Sequence, residues 1–387
     1  MDYDKIINKK VAEIKPSGIR RFFDLANEMD GVISLGVGEP DFKTPYEIRQ
    51  AGINSLQLGK TWYTANAGLP ELKKEICNYL KRRFDLDYSD KTETVVTVGG
   101  SEAIDICIRS IVAPGDEVIV PEPCFVAYAP IAQLCGGTVV PLETKAEDNF
   151  RITKQALLDA ITDKTKLIIF PFPNNPTGAV MRKEHLREIV DVLKDKDIIV
   201  LSDEIYAELT FDGNHVSIAS FPEMREKTII VNGFSKAYAM TGWRLGYAVG
   251  PEPIIKQMLK VHQFAIMCAP SVSQYAAITA LKFCDDAIEE MKTEYNMRRK
   301  LIVDGLNSLG LTCFDPQGAF YVFPCIKSTG LSSEDFCQKL LFSQKVAIVP
   351  GTAFGASGEG YARISYSYSI KHILEALERI KKFMDTL

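Results

Sequence analysis

From about residue 94 the chain repeats one unit: a short β-branched run, a turn containing Gly, Pro or Asp, and a stretch with apolar residues three and four apart. A pattern that alternates between strand and helix periods commits a chain to a mainly parallel sheet covered by helices on both faces. Strands are predicted at Thr94–Val98, Glu117–Val120, Thr138–Leu142, Lys166–Phe170, Ile198–Ser202, Thr228–Val231 and Leu245–Val249. Helices are predicted at Ser101–Ile111, Val126–Leu134, Lys183–Leu193 and Pro270–Phe283. The seven strand runs make one large α/β domain with a seven-stranded sheet.

After a long charged helical stretch near Asp286–Leu309 the texture changes. It continues with a hairpin-like Gly318–Phe323, a helix near Ser333–Phe342, strands at Val346–Val349 and Tyr361–Ser365, and a closing helix Ile370–Met384. This reads as a smaller α+β domain. The first 45 or so residues lack the repeating unit and are expected to pack on it. The expected division is therefore 46–285 for the large domain and 1–45 with 286–387 for a discontinuous small one, within the two or three domains that 387 residues suggest.

Composition removes several function classes. The net charge of −5 gives no basic surplus of the kind that drives nucleic-acid binding. No apolar run approaches a membrane span. Charges stand within Met1–Lys10 where the apolar core of a signal peptide would lie, so a cytoplasmic protein is expected. Nine cysteines without a Cys-x-x-Cys read as scattered reduced thiols, and the four histidines show no metal-ligand spacing, so no metal is expected.

In open parallel sheets ligands sit beyond the carboxyl ends of the strands, so the residues following each strand carry most information. After Val98 come Gly99, Gly100 and Ser101 opening a helix, whose free N–H groups and dipole suit an anion such as phosphate. After Phe170 come Asn174 and Asn175, between prolines that restrict their backbone. After Ser202 comes Asp203, with Tyr206 three residues on. After Val231 come Ser235 and Lys236, then Arg244; no acidic residue stands close to Lys236 in sequence, and desolvation there would free an amine nucleophile. Each feature alone has a plainer reading: a tight turn, a rigid loop, a helix cap, an exposed lysine. Together they describe a pocket for pyridoxal 5′-phosphate (PLP).

The chain resembles the fold-type I PLP-dependent aminotransferases of the aspartate aminotransferase superfamily. The likeness runs through Ser17-Gly18, Gly36-Val-Gly38-Glu-Pro-Asp41, Tyr63, Gly68-Leu-Pro-Glu-Leu72, Asn175-Pro-Thr-Gly178, Asp203-Glu-Ile-Tyr206, Ser235-Lys236 and Arg363, nearly the whole chain. The resemblance implies that Lys236 bonds to the cofactor aldehyde and later moves the substrate proton. It gives Asp203 the pyridinium nitrogen, Asn175 and Tyr206 the ring's 3′-oxygen, and Phe125 a stacking position against the ring. Gly100, Ser101, Ser235 and Arg244 would hold the phosphate, joined by Tyr63 from a neighbouring subunit, which implies a homodimer. Arg363 and Gly38 would meet the substrate α-carboxylate.

The implied activity is transfer of an amino group from an L-amino acid (aspartate, aromatic or related) to a 2-oxo acid such as 2-oxoglutarate, by a ping-pong mechanism. The same residues would serve a β-lyase acting on cysteine-conjugate-like substrates. A PLP-binding regulator is a more distant alternative; such proteins carry an upstream DNA-binding module, whereas here the likeness begins near residue 17. Gly99 and Gly233 stand where some relatives carry phosphate-binding Ser, and Ser101 where certain dicarboxylate-preferring relatives carry Lys, which argues against a narrow aspartate preference. Arg20 is a candidate for a side-chain carboxylate, with a plain surface arginine as the alternative.

Overall fold

The computed structural model describes residues 1–16, 18 and 29–387. Arg20 and Ser17 lie outside the described residues. After a first short strand β1 (Ile33–Ser34), seven strands form one sheet: β2 (Thr94–Thr97), β3 (Glu117–Glu122), β4 (Thr138–Glu143), β5 (Thr165–Pro171), β6 (Ile199–Asp203), β7 (Thr228–Gly233) and β8 (Gly246–Val249). Their order is β2-β8-β7-β6-β5-β3-β4. β8 runs antiparallel to both its neighbours, so the other six strands share one direction.

Successive residues of each strand enter different layers, which explains why the strands read as unbroken apolar runs. Val95, Val118, Val120, Leu167, Ile169, Leu201, Ile229 and Val231 face a core with Ile104, Ile108, Tyr128, Ile255 and Met258. Ile119, Ile168 and Val200 face the opposite layer, with Leu186, Ile189, Val190 and Leu193 of the helix Lys183–Leu193. Val96, Ile230 and Val249 continue that layer against the helices Pro70–Phe84 and Ser271–Phe283. The result is a three-layer helix–sheet–helix sandwich.

The second core is built from the long helix Asp285–Ser308, the helices Ser333–Gln344 and Ile370–Met384, and short strands β9 (Tyr321–Val322), β10 (Val346–Ala347), β11 (Val349–Pro350) and β12 (Ala362–Ser365). Ile33 and Leu35 pack into it beside Phe336, Val346 and Ile380. β1 pairs parallel with β10, Ile33 opposite Val346, so the N-terminal strand is tied to chain more than three hundred residues away.

The structure differs from the sequence reading in places. Gly318–Phe323 is not a local hairpin: β9 pairs with β12, Val322 opposite Ile364. Gly318 instead passes so close to the loop after β5 that a Cβ there would meet Pro173 Cβ at 2.6 Å. The predicted strand Val346–Val349 is two strands serving two sheets, since β10 pairs with β1 and β11 with β12. The helix after β2 starts at Gly99 rather than Ser101, and the one after β3 at Tyr128 rather than Val126. The helices Tyr46–Gln57, Pro70–Phe84, Lys154–Ala160 and Glu252–Ala265 carried no expectation.

Leu35 is fully buried, and its N–H and C=O bond Ala347 and Ser365. Leu35→Ala is expected to remove about 2–5 kcal/mol through lost burial and the cavity left behind. The check is a urea titration: a midpoint that does not move would mean that β1 is dispensable to the C-terminal core.

Candidate active site

Five of the co-directional strands deliver residues to one pocket at their carboxyl ends, and the reversed strand completes it. The pocket is lined by Gly38, Gly100, Ser101, Phe125, Asn175, Asp203, Tyr206, Ser235, Lys236, Arg244 and Arg363. Of the predicted site residues that the structure describes, only Tyr63 lies elsewhere: it is 78% exposed on the surface beside Trp62.

Asp203 is the last residue of β6 and is buried. Its Oδ2 accepts from the Tyr128 hydroxyl at 2.7 Å and its Oδ1 from the Ile205 N–H at 3.1 Å. Burial pushes its pKa up to about 6, against the lowering effect of those two donors. Tyr128 escaped the sequence reading because nothing in the sequence announces a contact across 75 residues. A tyrosine on the first turn of the helix after β3, which neighbours β5 in the sheet, was the one clue.

Lys236 follows β7, and its Nζ donates to the Gly38 carbonyl at 2.6 Å. Desolvation lowers its pKa to about 8, with Glu39 opposing and the Arg363 and Arg244 cations assisting. The Tyr206 and Phe320 rings each lie within about 6 Å of the amine, 5.8 and 5.7 Å to their centroids.

Arg363, on β12, is buried among groups from four segments. Its Nη1 donates to Asn175 Oδ1 at 3.0 Å and its Nη2 to the Gly36 carbonyl at 2.5 Å. The Tyr321 and Phe354 rings lie 4.5 and 4.7 Å from the guanidinium carbon. Its Nε has no partner, and among the described residues no carboxylate pairs with it. Tyr321 also went unforeseen: its hydroxyl meets that of Tyr206 at 2.8 Å, and a Cβ at Gly38 would lie 2.3 Å from it.

At the other end of the pocket Gly99 adopts φ +78°, and a Cβ there would meet Arg244 Nη2 at 2.8 Å. Gly246, which opens β8, passes so close that its Cβ would stand 2.6 Å from Gly100 N. These glycines bring helix-start N–H groups and the Arg244 cation to one spot, with Ser235 beside them. Among the described residues no group of three or more His, Cys, Asp or Glu side chains could hold a metal ion, and no helix is long and apolar enough to cross a membrane.

A family model for aminotransferase class I and II matches residues 30–380. The chain belongs to this family. Among its relatives, the Bacillus subtilis protein YugH, whose name gives the reaction class and no substrate, is 56% identical over 97% of both chains. An aspartate aminotransferase of Pyrococcus abyssi is 45% identical over 96% of each. The solved aromatic aminotransferase of Pyrococcus horikoshii superposes with a TM-score of 0.90 at 43% identity, covering 95% of this chain and 99% of that one.

Class I and II aminotransferases are PLP enzymes, and this one is a transaminase. Its pocket fits the cofactor on its own chemistry. It offers a glycine cradle with a cation for a phosphate, a buried carboxylate for a protonated ring nitrogen and an amine with lowered pKa for an aldehyde.

With a pKa of about 8, Lys236 is unprotonated in about one molecule in ten at pH 7, against about one in three thousand for an ordinary lysine. In cofactor-free aminotransferase, its reaction with an aldehyde probe is expected to rise with pH and level off above about 8 to 9. Peptide mapping after borohydride trapping at a series of pH values checks this. A midpoint near 10.5 would show that desolvation does not act on this amine.

Proposed function

We propose that the enzyme moves the amino group of an L-amino acid, aspartate, aromatic or related, to a 2-oxo acid such as 2-oxoglutarate. Donor and acceptor would use the one pocket in turn, in a ping-pong sequence. The observation that carries this reading is Arg363: a buried guanidinium without a carboxylate partner, a few residues' width from a reactive amine, is built to receive an α-carboxylate.

When bound, PLP supplies an electron-withdrawing ring that stabilises negative charge at the substrate Cα. The Asp203 carboxylate holds the proton on the ring nitrogen, and Tyr128 fixes that carboxylate's orientation. Because Asn175 Oδ1 accepts from Arg363, its NH₂ group is left to donate to the ring's 3′-oxygen, beside the Tyr206 hydroxyl. Phe125 would pack against the ring. Lys236 Nζ would take the proton from the substrate Cα and give it back, acting as base and then acid. Arg363 orients the substrate through its planar fork, while the Tyr321 and Phe354 rings on the guanidinium keep water from it.

Gly100, Ser101, Ser235 and Arg244 hold the phosphate in this reading. Tyr63, exposed on its own protomer with Trp62 and an 88% exposed Phe264, reaches the phosphate of a second protomer in a homodimer. Residues 46–285 then form the cofactor-binding domain, and 1–45 with 286–387 the smaller one, in a cytoplasmic enzyme. Two of the relatives named above are, by name, an aspartate and an aromatic aminotransferase. The serine at position 101 argues against a narrow aspartate preference.

A panel of L-amino acids with 2-oxoglutarate, read as relative kcat/KM, tests the proposal. No turnover with aspartate, aromatic or neutral donors would overturn it. Lys236→Ala is expected to keep PLP bound without a covalent link and to slow the half-reaction by at least about 10³-fold. Full activity in that variant would remove Lys236 from the mechanism. Arg363→Lys is expected to lower kcat/KM about 30–100-fold for every donor, through loss of the two-pronged contact; a loss under about threefold would place the carboxylate elsewhere.

A further inference from the structure

Two glutamates directly follow pocket residues, Glu204 after Asp203 and Glu102 after Ser101, and each meets a histidine. Glu204 is fully satisfied: His215 Nε2 lies 2.8 Å from one of its oxygens, and the hydroxyls of Ser202 and Ser217 donate to the other at 2.8 and 2.6 Å. Glu102 is held differently. Its Oε2 accepts from the Val98 N–H at 2.5 Å and its Oε1 faces His262 Nδ1 at 2.6 Å. An ionised carboxylate only accepts, so Nδ1 carries the proton. His262 is 0% exposed in the helix Glu252–Ala265, and its Nε2 has no hydrogen-bond partner among the described residues.

Taking the His262 ring out of water costs stability, so what it holds needs a use. What it holds is the carboxylate on Val98, the residue immediately before Gly99 and Gly100. The turn is also tied from the other side, since Thr97 Oγ1 donates to the Gly99 carbonyl at 2.9 Å. Glycines are the least constrained residues in any backbone, and a cradle made of two of them keeps its N–H groups convergent only if the flanking peptides are fixed.

We propose that Glu102 is a positioning residue for the phosphate end of the cofactor, and that His262 holds its carboxylate in place. The proposal rests on the reading of Gly100, Ser101 and Arg244 as the phosphate site. It assigns the pair to affinity for the phosphate group, separate from the chemistry at Lys236.

The test compares PLP with pyridoxal, which lacks the phosphate, by equilibrium dialysis against cofactor-free enzyme. Glu102→Ala is expected to weaken PLP binding about tenfold, the upper range for one positioned hydrogen bond. Pyridoxal affinity should stay within about twofold, and kcat at saturating PLP likewise. Glu102→Gln keeps an acceptor for the Val98 N–H and should lie within about threefold of wild type. His262→Asn keeps a donor near Nδ1 and should do the same, whereas His262→Leu should follow Glu102→Ala.

Equal losses of PLP and pyridoxal, or unchanged PLP binding in Glu102→Ala, would overturn the proposal. If Glu102→Ala fails to fold by circular dichroism, His262→Leu carries the comparison, and loss of the fold in both would also overturn it. Arg244→Ala separates the underlying reading: if it weakens pyridoxal as much as PLP, the phosphate assignment itself fails.

Discussion

A guanidinium taken out of water must find hydrogen-bond acceptors, rings or an anion around it, and Arg363 finds acceptors and rings in four distant stretches of chain. Gly36 comes from the N-terminal segment, Asn175 from the loop after β5, Tyr321 from β9 and Phe354 from the turn after β11. Burial alone pushes its pKa down from the usual arginine range, yet an arginine remains charged. Neutral acceptors and aromatic faces only partly replace hydration. The remaining demand for negative charge is what underlies the proposed role of Arg363 toward a carboxylate, and the same contacts tie β12 to the loop after β5.

The opposite end of the pocket depends on strand direction. Five of the six co-directional strands end at the pocket, so residues following them arrive there automatically; a residue preceding a strand would arrive at the far edge. Arg244 precedes β8, and it reaches the pocket because β8 is reversed. Gly246 lies between Thr97 and Gly233 in the sheet, and only a residue without a side chain lets β8 start against the Gly99–Gly100 turn. One antiparallel strand in an otherwise parallel sheet therefore brings the cation and the helix N-terminus to the same spot.

This separates what could be read from the sequence from what could not. All seven sheet strands were legible because strands buried on both faces are continuous β-branched runs, and Asn175, Asp203, Ser235 and Lys236 were legible because they follow such runs. Tyr128, Tyr321 and the Glu102–His262 pair were not, since each acts through a contact between segments whose packing no local pattern encodes. The strand Tyr321–Val322 was seen but given the wrong partner: its neighbour in space starts some forty residues later, and a two-residue strand carries no register signal of its own.

The titratable groups of the pocket share one physical cause and opposite consequences. Burial disfavours charge on every group, so it raises Asp203 to about 6 and lowers Lys236 to about 8. Both shifts leave the groups nearer neutrality than they would be in water, the lysine as a usable amine and the aspartate as a base stronger than an ordinary carboxylate. A cation at the ring nitrogen would reverse the shift on Asp203, because a close opposite charge favours the ionised form. Lys236 lies between the cations of Arg363 and Arg244, which continue to favour its neutral form. The pocket can thus favour a protonated nitrogen beside Asp203 and an unprotonated one at Lys236, the condition that the proposed proton transfer by a single lysine requires.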